Sequence, residues 1–419
     1  MKFSKLSQLF LVSSIGLLVA TIFSACSLNT VDFVYVASSA GSGTSGDGQI
    51  DIFATDGVSG ALRTAAAPIS SGGVNPVAMA VDAAYSNLYV ANAGSNSIVH
   101  FDIGVNSGLT LEKDTAAPST TPVAIAVNTA DTYLYVLSGT TSARLTVYPL
   151  ASGVIGTPLV NATTSNSYWP IVVPGHTGDV MIPTGVTVLA NSSAVYVTAW
   201  DQSAYNPGCT PYPACITSTA NPGWVFGFTV GANGALTPVA GSPFEAGVQA
   251  SAIASDPTNR FVYVTDFASN GLIAYTIQDG STLAFLHNGP FNTGKEPSAI
   301  VIDPRGRFIY VTNYLDSTVS AYAIDLPTGT PTTVVNTTGS LSNATLAQPV
   351  AVVVDPALGS FVYTANNFDS SVSGFHLNTT SGALSPTQST PYPTGAKPTA
   401  LVAIPHGNHA TQVVGSTTP

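Results

Sequence analysis

The residues best suited to chemistry are His176 and Asp179, three apart in "VVPGHTGDVMIP" (172–183). An imidazole titrates near neutral pH, so a loop histidine with acids in reach can act as a general base toward water. A solvated loop histidine with no such duty has the same signature. A wider set has Asn or Asp at one recurring place, directly after the Tyr anchor: Asn92, Asp201, Asp266, Asn313 and Asn366. Lys295, Glu296, Gln348 and Lys397 recur just before a strand. Together they form a candidate ring of amides and charges that could hold a sugar-like ligand, and that leaves room for a divalent cation although no other cofactor is indicated. Asn and Asp at such places also simply make turns.

Other chemical side chains are few. Cys209 and Cys215 lie in the Pro- and Gly-rich "NPGCTPYPACITS", where an oxidising compartment would make them a disulfide; a metal site would show more Cys or His partners nearby. "HGNH" (406–409) has metal-like spacing but sits in a polar tail, and His100 and His376 alternate with apolar neighbours on strands. No dedicated metal site is expected. "GSGTSG" (41–46) fits a phosphate-loop pattern, yet a strand follows it where a helix would be needed.

The elements that position these residues repeat. An apolar pair followed by Tyr appears seven times, at Tyr35, Tyr89, Tyr135, Tyr196, Tyr263, Tyr310 and Tyr363. Every anchor but the first is preceded by an apolar strand such as "PVAMAVD" or "PSAIVID", opened by Pro in all but one copy. Proline at a strand's first residue removes no ladder bond. An alternating strand such as "TVSAYAI" follows each anchor, and then a weaker one such as "GALTPV". Four strands per unit, at periods of about 40 to 55 residues, predict an all-β array of blades. The first anchor lacks a preceding strand and "KPTALVAI" (397–404) lacks a following one. Pairing them gives a seven-bladed β-propeller of four-stranded antiparallel blades, its ring closed by the C-terminal strand on the N-terminal blade. Tyr310 and its counterparts are then blade-packing residues.

Charged residues are only 7% of the 419, with 10 basic against 21 acidic. Such a surface repels phosphate backbones, so nucleic acid is not an expected partner. Residues 1–25 carry two lysines, an apolar run and small residues, the pattern of an export signal; an uncleaved membrane helix is the alternative. "FSAC" (23–26) resembles the lipobox of bacterial lipoproteins, which implies a lipid on Cys26 as the membrane anchor. Ser27 after it resembles the signal for the outer membrane. The domain boundaries are then signal 1–25, tether 26–31, propeller 32–405 and polar tail 406–419.

"PSAIVIDPRGRFIYVTNYLDSTVSAYAID" and its sister repeats resemble the lactonase-type seven-bladed propellers, which include 6-phosphogluconolactonase and the YVTN-repeat proteins. The resemblance covers about residues 31–405. It implies hydrolysis of a lactone or cyclic ester, with His or Arg at the openings of the innermost strands. Here those openings read "NPVA", "TPVA", "IPTG", "QASA", "EPSA", "QPVA" and "KPTA", without His or Arg. Arg260, Arg305 and Arg307 fall in turns expected on the face opposite the mouth.

Two functions follow as expectations: a lactone-opening enzyme built on His176 and Asp179, or a non-catalytic envelope module that binds a glycan or protein. The insertion "WDQSAYNPGCTPYPACITSTANPGW" (200–224), with two of the three Trp, is expected to project from the mouth as a binding surface or to pack over the channel as a plug. A monomer is expected.

Overall fold

The computed structural model describes residues 30–40, 46–118, 120–175, 178–204, 222–406 and 413–416. The signal segment and Cys26, His176, residues 205–221 with the Cys209–Cys215 pair, residues 407–409 of "HGNH" and most of 41–46 lie outside the described residues.

Seven antiparallel sheets surround a central axis, and their innermost strands contact one another in sequence until Ala396–Pro405 meets Pro76–Val81. Blade 1 has the order Leu62–Ser70, Gln49–Asp56, Thr30–Ala40, Ala396–Pro405, so the chain's last strand is its innermost one. Tyr35 there pairs with Val402. This closure leaves the ring no exposed innermost edge. In blades 3 to 7 the outermost strand is broken into two short pieces, both paired to the third strand, which accounts for its weak sequence signal.

The second strands are the core. Phe261–Asp266, Phe308–Asn313 and Phe361–Asn366 are buried at every residue, because neighbouring blades cover both faces. The anchor tyrosines fasten each blade to the next. Tyr310 donates to the Gly382 carbonyl at 3.0 Å, Tyr263 to that of Gly329 at 2.8 Å and Tyr89 to that of Gly153 at 2.6 Å. A buried hydroxyl usually has such a partner, and for six of the seven anchors it is the far turn of the following blade, Tyr135 being the exception.

The turns after the first strands have a shared device. Asp303 Oδ1 accepts from the N–H groups of Arg307 and Phe308 at 2.6 and 2.8 Å, as Asp256 Oδ1 does from those of Arg260 and Phe261. In blade 7 the turn holds one more residue, so Asp355 reaches Ser360 and Phe361; that explains why its repeat is longer by one. Arg260, Arg305 and Arg307 lie on this face. They donate to the carbonyls of Leu326, Gly359 with Leu358, and Thr379, each in the next blade.

Two carboxyls meet where the ring closes. Asp32, on the N-terminal strand, and Asp355, in the turn of blade 7, are both fully buried. Burial and the neighbouring Asp355 push the Asp32 carboxyl up to about 9. Burial also raises Asp355, against the four backbone N–H groups that its oxygens accept.

Candidate functional site

Each first strand starts at the mouth with a β-bulge, seen as a register shift between Pro76 and Ala78, Pro297 and Ala299, or Pro349 and Ala351. An extra residue there bends the strand and re-aims its neighbours. In three blades the bulged residue carries a hydroxyl that ties blades together: Ser251, Ser298 and Thr399 donate to the carbonyls of Pro297, Pro349 and Pro76 at 2.7, 2.6 and 2.7 Å, whereas Thr184 donates to Thr198 within its own blade.

The residue before the bulge is strained in four blades. Glu296, Gln348, Lys397 and Asn75 have φ of 55°, 58°, 57° and 54°. Left-handed backbone is disfavoured for side chains other than Gly, and less so for Asn. The four occupy blades 6, 7, 1 and 2, a continuous arc of the rim. Their geometry is held by hydrogen bonds, since the carbonyls of Asn75, Glu296 and Gln348 accept from Ala93, Tyr314 and Asn367 N–H at 2.8, 2.9 and 2.9 Å.

The ring after the second strands requires a correction. Asn92, Asn313 and Asn366 are fully buried, Asp266 is 2% exposed and Asp201 7%. Their polar atoms bind their own surroundings. Asp266 accepts from Val248, Gln249 and Ser269 N–H, and Asp201 from Val180 and Ser203 N–H. Asn313 accepts from Gly294 N–H and donates to Thr318 and Ser320; Asn366 donates to Ser371 and Ser373, and Asn92 to the Ser71 carbonyl. These side chains hold the mouth loops in place and do not line an open ring. Among the described residues, no three His, Cys, Asp or Glu side chains converge to hold a metal ion.

The charges before the first strands stay accessible. Lys295 and Lys397 are exposed, and Glu296 and Gln348 half-buried. Asp179 is half-buried one residue before Val180. Lys295 and Glu296 share a cavity of about 260 Å³ between blades 5 and 6 with Gln249, Asn270, Phe267 and Leu315. Its walls are fixed by backbone contacts: Asn270 accepts from Glu296 N–H at 2.8 Å, and Asp316 from Lys295 N–H at 2.8 Å. Phe267 and Tyr314 lie with ring centres 6.3 Å apart beside it.

Gln249, Asn270 and Asn75 were missed from the sequence. Gln249 and Asn75 precede a strand opening as Glu296 does, in "QASA" and "NPVA", so the repeat alignment itself contains that signal. Of the inserted loop's aromatics, Trp200 and Trp224 belong to paired strands at its roots, where Trp200 is opposite Gly223 and 8% exposed, while Tyr205 and Tyr212 lie outside the described residues. His100 is buried against Tyr89 and bonded to Asn87 at 2.8 Å, which makes it structural.

A model of the family described as "Lactonase, 7-bladed beta-propeller" matches residues 62–157 and 232–347. The chain belongs to the lactonase family of seven-bladed β-propellers. Similar solved structures share that fold across nearly their whole length. A putative 6-phosphogluconolactonase from Bacteroides fragilis is 15% identical with a TM-score of 0.67, covering 90% of this chain and 99% of that one. The periplasmic gluconolactonase of Pseudomonas aeruginosa is 17% identical with a TM-score of 0.64, covering 89% and 99%. No curated protein matches the chain. At such identities the family's architecture is shared while its mouth is this chain's own.

Proposed function

We propose that this family member is an exported, lipid-anchored propeller that takes a neutral sugar-type lactone into the mouth cavity between blades 5 and 6 and opens it with water. The observation that carries the reading is the meeting of Lys295 and Glu296 with amide groups in one cavity beside an aromatic pair. Amides and charges suit hydroxyls, and the ring faces suit the apolar side of a sugar. Glu296 takes a proton from water as it attacks the lactone carbonyl carbon, and the Lys295 ammonium offsets the charge on the carbonyl oxygen. The ring C–O bond then breaks, and the leaving alkoxide recovers the proton from Glu296.

A neutral substrate fits better than a phosphorylated one. Lys295 and Lys397 are accompanied on the mouth face by Glu296, Asp316 and Asp369, whereas phosphate recognition calls for clustered basic donors. His176 and Asp179, neighbours in sequence, remain the alternative acid–base pair.

Turnover of neutral and phosphorylated aldonolactones tests this. Neutral lactones should open above the spontaneous rate, and Glu296→Gln should lower kcat by about 100-fold or more. A second reading, a non-catalytic binding module, draws on the absence of His and Arg at the strand openings and on the exposed Leu315 and Phe368 beside the mouth. Saturable sugar binding without turnover would establish it in place of hydrolysis. Loss of activity in His176→Ala with Glu296→Gln unaffected would move the chemistry to the blade 4 loop.

A further inference from the structure

A second cavity lies away from the mouth centre, between the outer part of blade 4 and the third and fourth strands of blade 5. Its volume is about 410 Å³, and its walls include Phe244, Tyr275 and Phe285 with the exposed Glu245 and the buried Asp266. No Lys or Arg lines it.

Comparison of the blades shows what is special here. Phe285 pairs with Tyr275 in the sheet of blade 5, and the corresponding pairs elsewhere are Pro238 with Phe228, Thr333 with Tyr322 and Pro386 with Phe375. Glu245 faces Trp224, where the matching residues in other blades are Pro170, Asn292, Ala344 and Pro393. The repeat therefore has no need of an aromatic at the first position or of a charge at the second. Both departures open onto one cavity, and both side chains are exposed, Phe285 at 41%.

The backbone around them is fixed. The Tyr275 hydroxyl donates to the Glu245 carbonyl, and Tyr275 and Phe285 meet edge to face with centres 5.9 Å apart. Gly247 has φ of 70°, and a Cβ there would come within 2.2 Å of Asp266 Oδ2, so the glycine lets the blade 4 segment pass over this carboxylate, whose oxygens accept from the N–H groups of Val248, Gln249 and Ser269.

We propose that this cleft binds a substituted ammonium ion, such as a trimethylammonium group with a short apolar or hydroxylated tail. Aromatic faces attract a cation that water solvates poorly, and a carboxylate beside them selects the charge. The chain's formal charge of −11 adds a field of the same sense. This site is separate from the lactone cavity and does not depend on it.

The test is calorimetric titration of the full-length chain, in a non-ionic detergent at pH 8, with choline and with its neutral isostere in which carbon replaces the quaternary nitrogen. Choline should bind about tenfold more tightly than the isostere. Phe285→Thr and Glu245→Asn, which install residues other blades already hold, should each weaken choline by about tenfold while leaving lactone turnover unchanged. Equal binding of choline and isostere would overturn the proposal. So would undiminished binding in both variants, or no saturable binding of choline at all.

Discussion

The Tyr363 hydroxyl donates to the Gly60 carbonyl at 2.8 Å, across 303 residues of chain. It is the same bond that Tyr310 makes to Gly382 in the adjacent blade, yet here it joins the last blade to the first. The repeat thus closes on itself by its own rule, aided by the C-terminal strand. Replacing Tyr363 by Phe leaves a buried carbonyl without its donor and should cost about 1–3 kcal/mol. Tyr135 is the control, because its buried hydroxyl has no hydrogen-bond partner. Tyr135→Phe should be neutral or stabilising in the same chemical denaturation measurement, and equal losses in the two variants would refute the assignment.

The Asp32–Asp355 pair makes closure sensitive to pH. The folded Asp32 carboxyl is raised above its unfolded value, so its favourable contribution is complete below about pH 4 and is lost as pH rises toward about 9. Tyr85 and Tyr363 face the same charges and offer no cation to relieve them. Asp32→Asn should flatten the dependence of Tm on pH between 5 and 9 and raise Tm at pH 8 by more than about 2 °C. Calorimetric scans of both proteins that run parallel across this range would rule out the pair as the cause.

Strain at the rim can be measured by glycine substitution. Lys397→Gly removes a left-handed lysine at φ 57°. The relief of about 1–2 kcal/mol exceeds the added chain entropy of glycine, leaving a gain of roughly 0.5–1 kcal/mol. Asn75→Gly should change stability by much less, because Asn tolerates this backbone. A destabilised Lys397→Gly would show that the side chain itself stabilises the rim.

The bulged hydroxyls are a further joint between blades. Ser298 donates to the Pro349 carbonyl at 2.6 Å and sits against Thr312 Oγ1 at 2.9 Å. Ser298→Ala should lower unfolding free energy by about 1 kcal/mol. Valine already fills the matching place at Val77, Val123 and Val350, so the blade accepts an apolar residue there, and an unchanged midpoint would mean that solvent replaces the bond.

What the sequence determined by itself was the architecture. Seven Tyr anchors at regular spacing, Pro-opened first strands and an unmatched strand at each end specify seven blades and their closure, because these residues are the ones that build and join blades. Tertiary structure decided the site. Asn313 and Asp266 look in sequence like Glu296 and Lys295, polar residues beside a strand, but the first two are turned inward to hold loop N–H groups, while the second two stay accessible beside a left-handed bend at Glu296. A side chain's direction at a bulge depends on backbone torsions and on the neighbouring blade, neither of which is local in sequence. The same holds for Phe285 and Glu245, 40 residues apart on different blades, whose meeting only the packing of blade 4 on blade 5 creates.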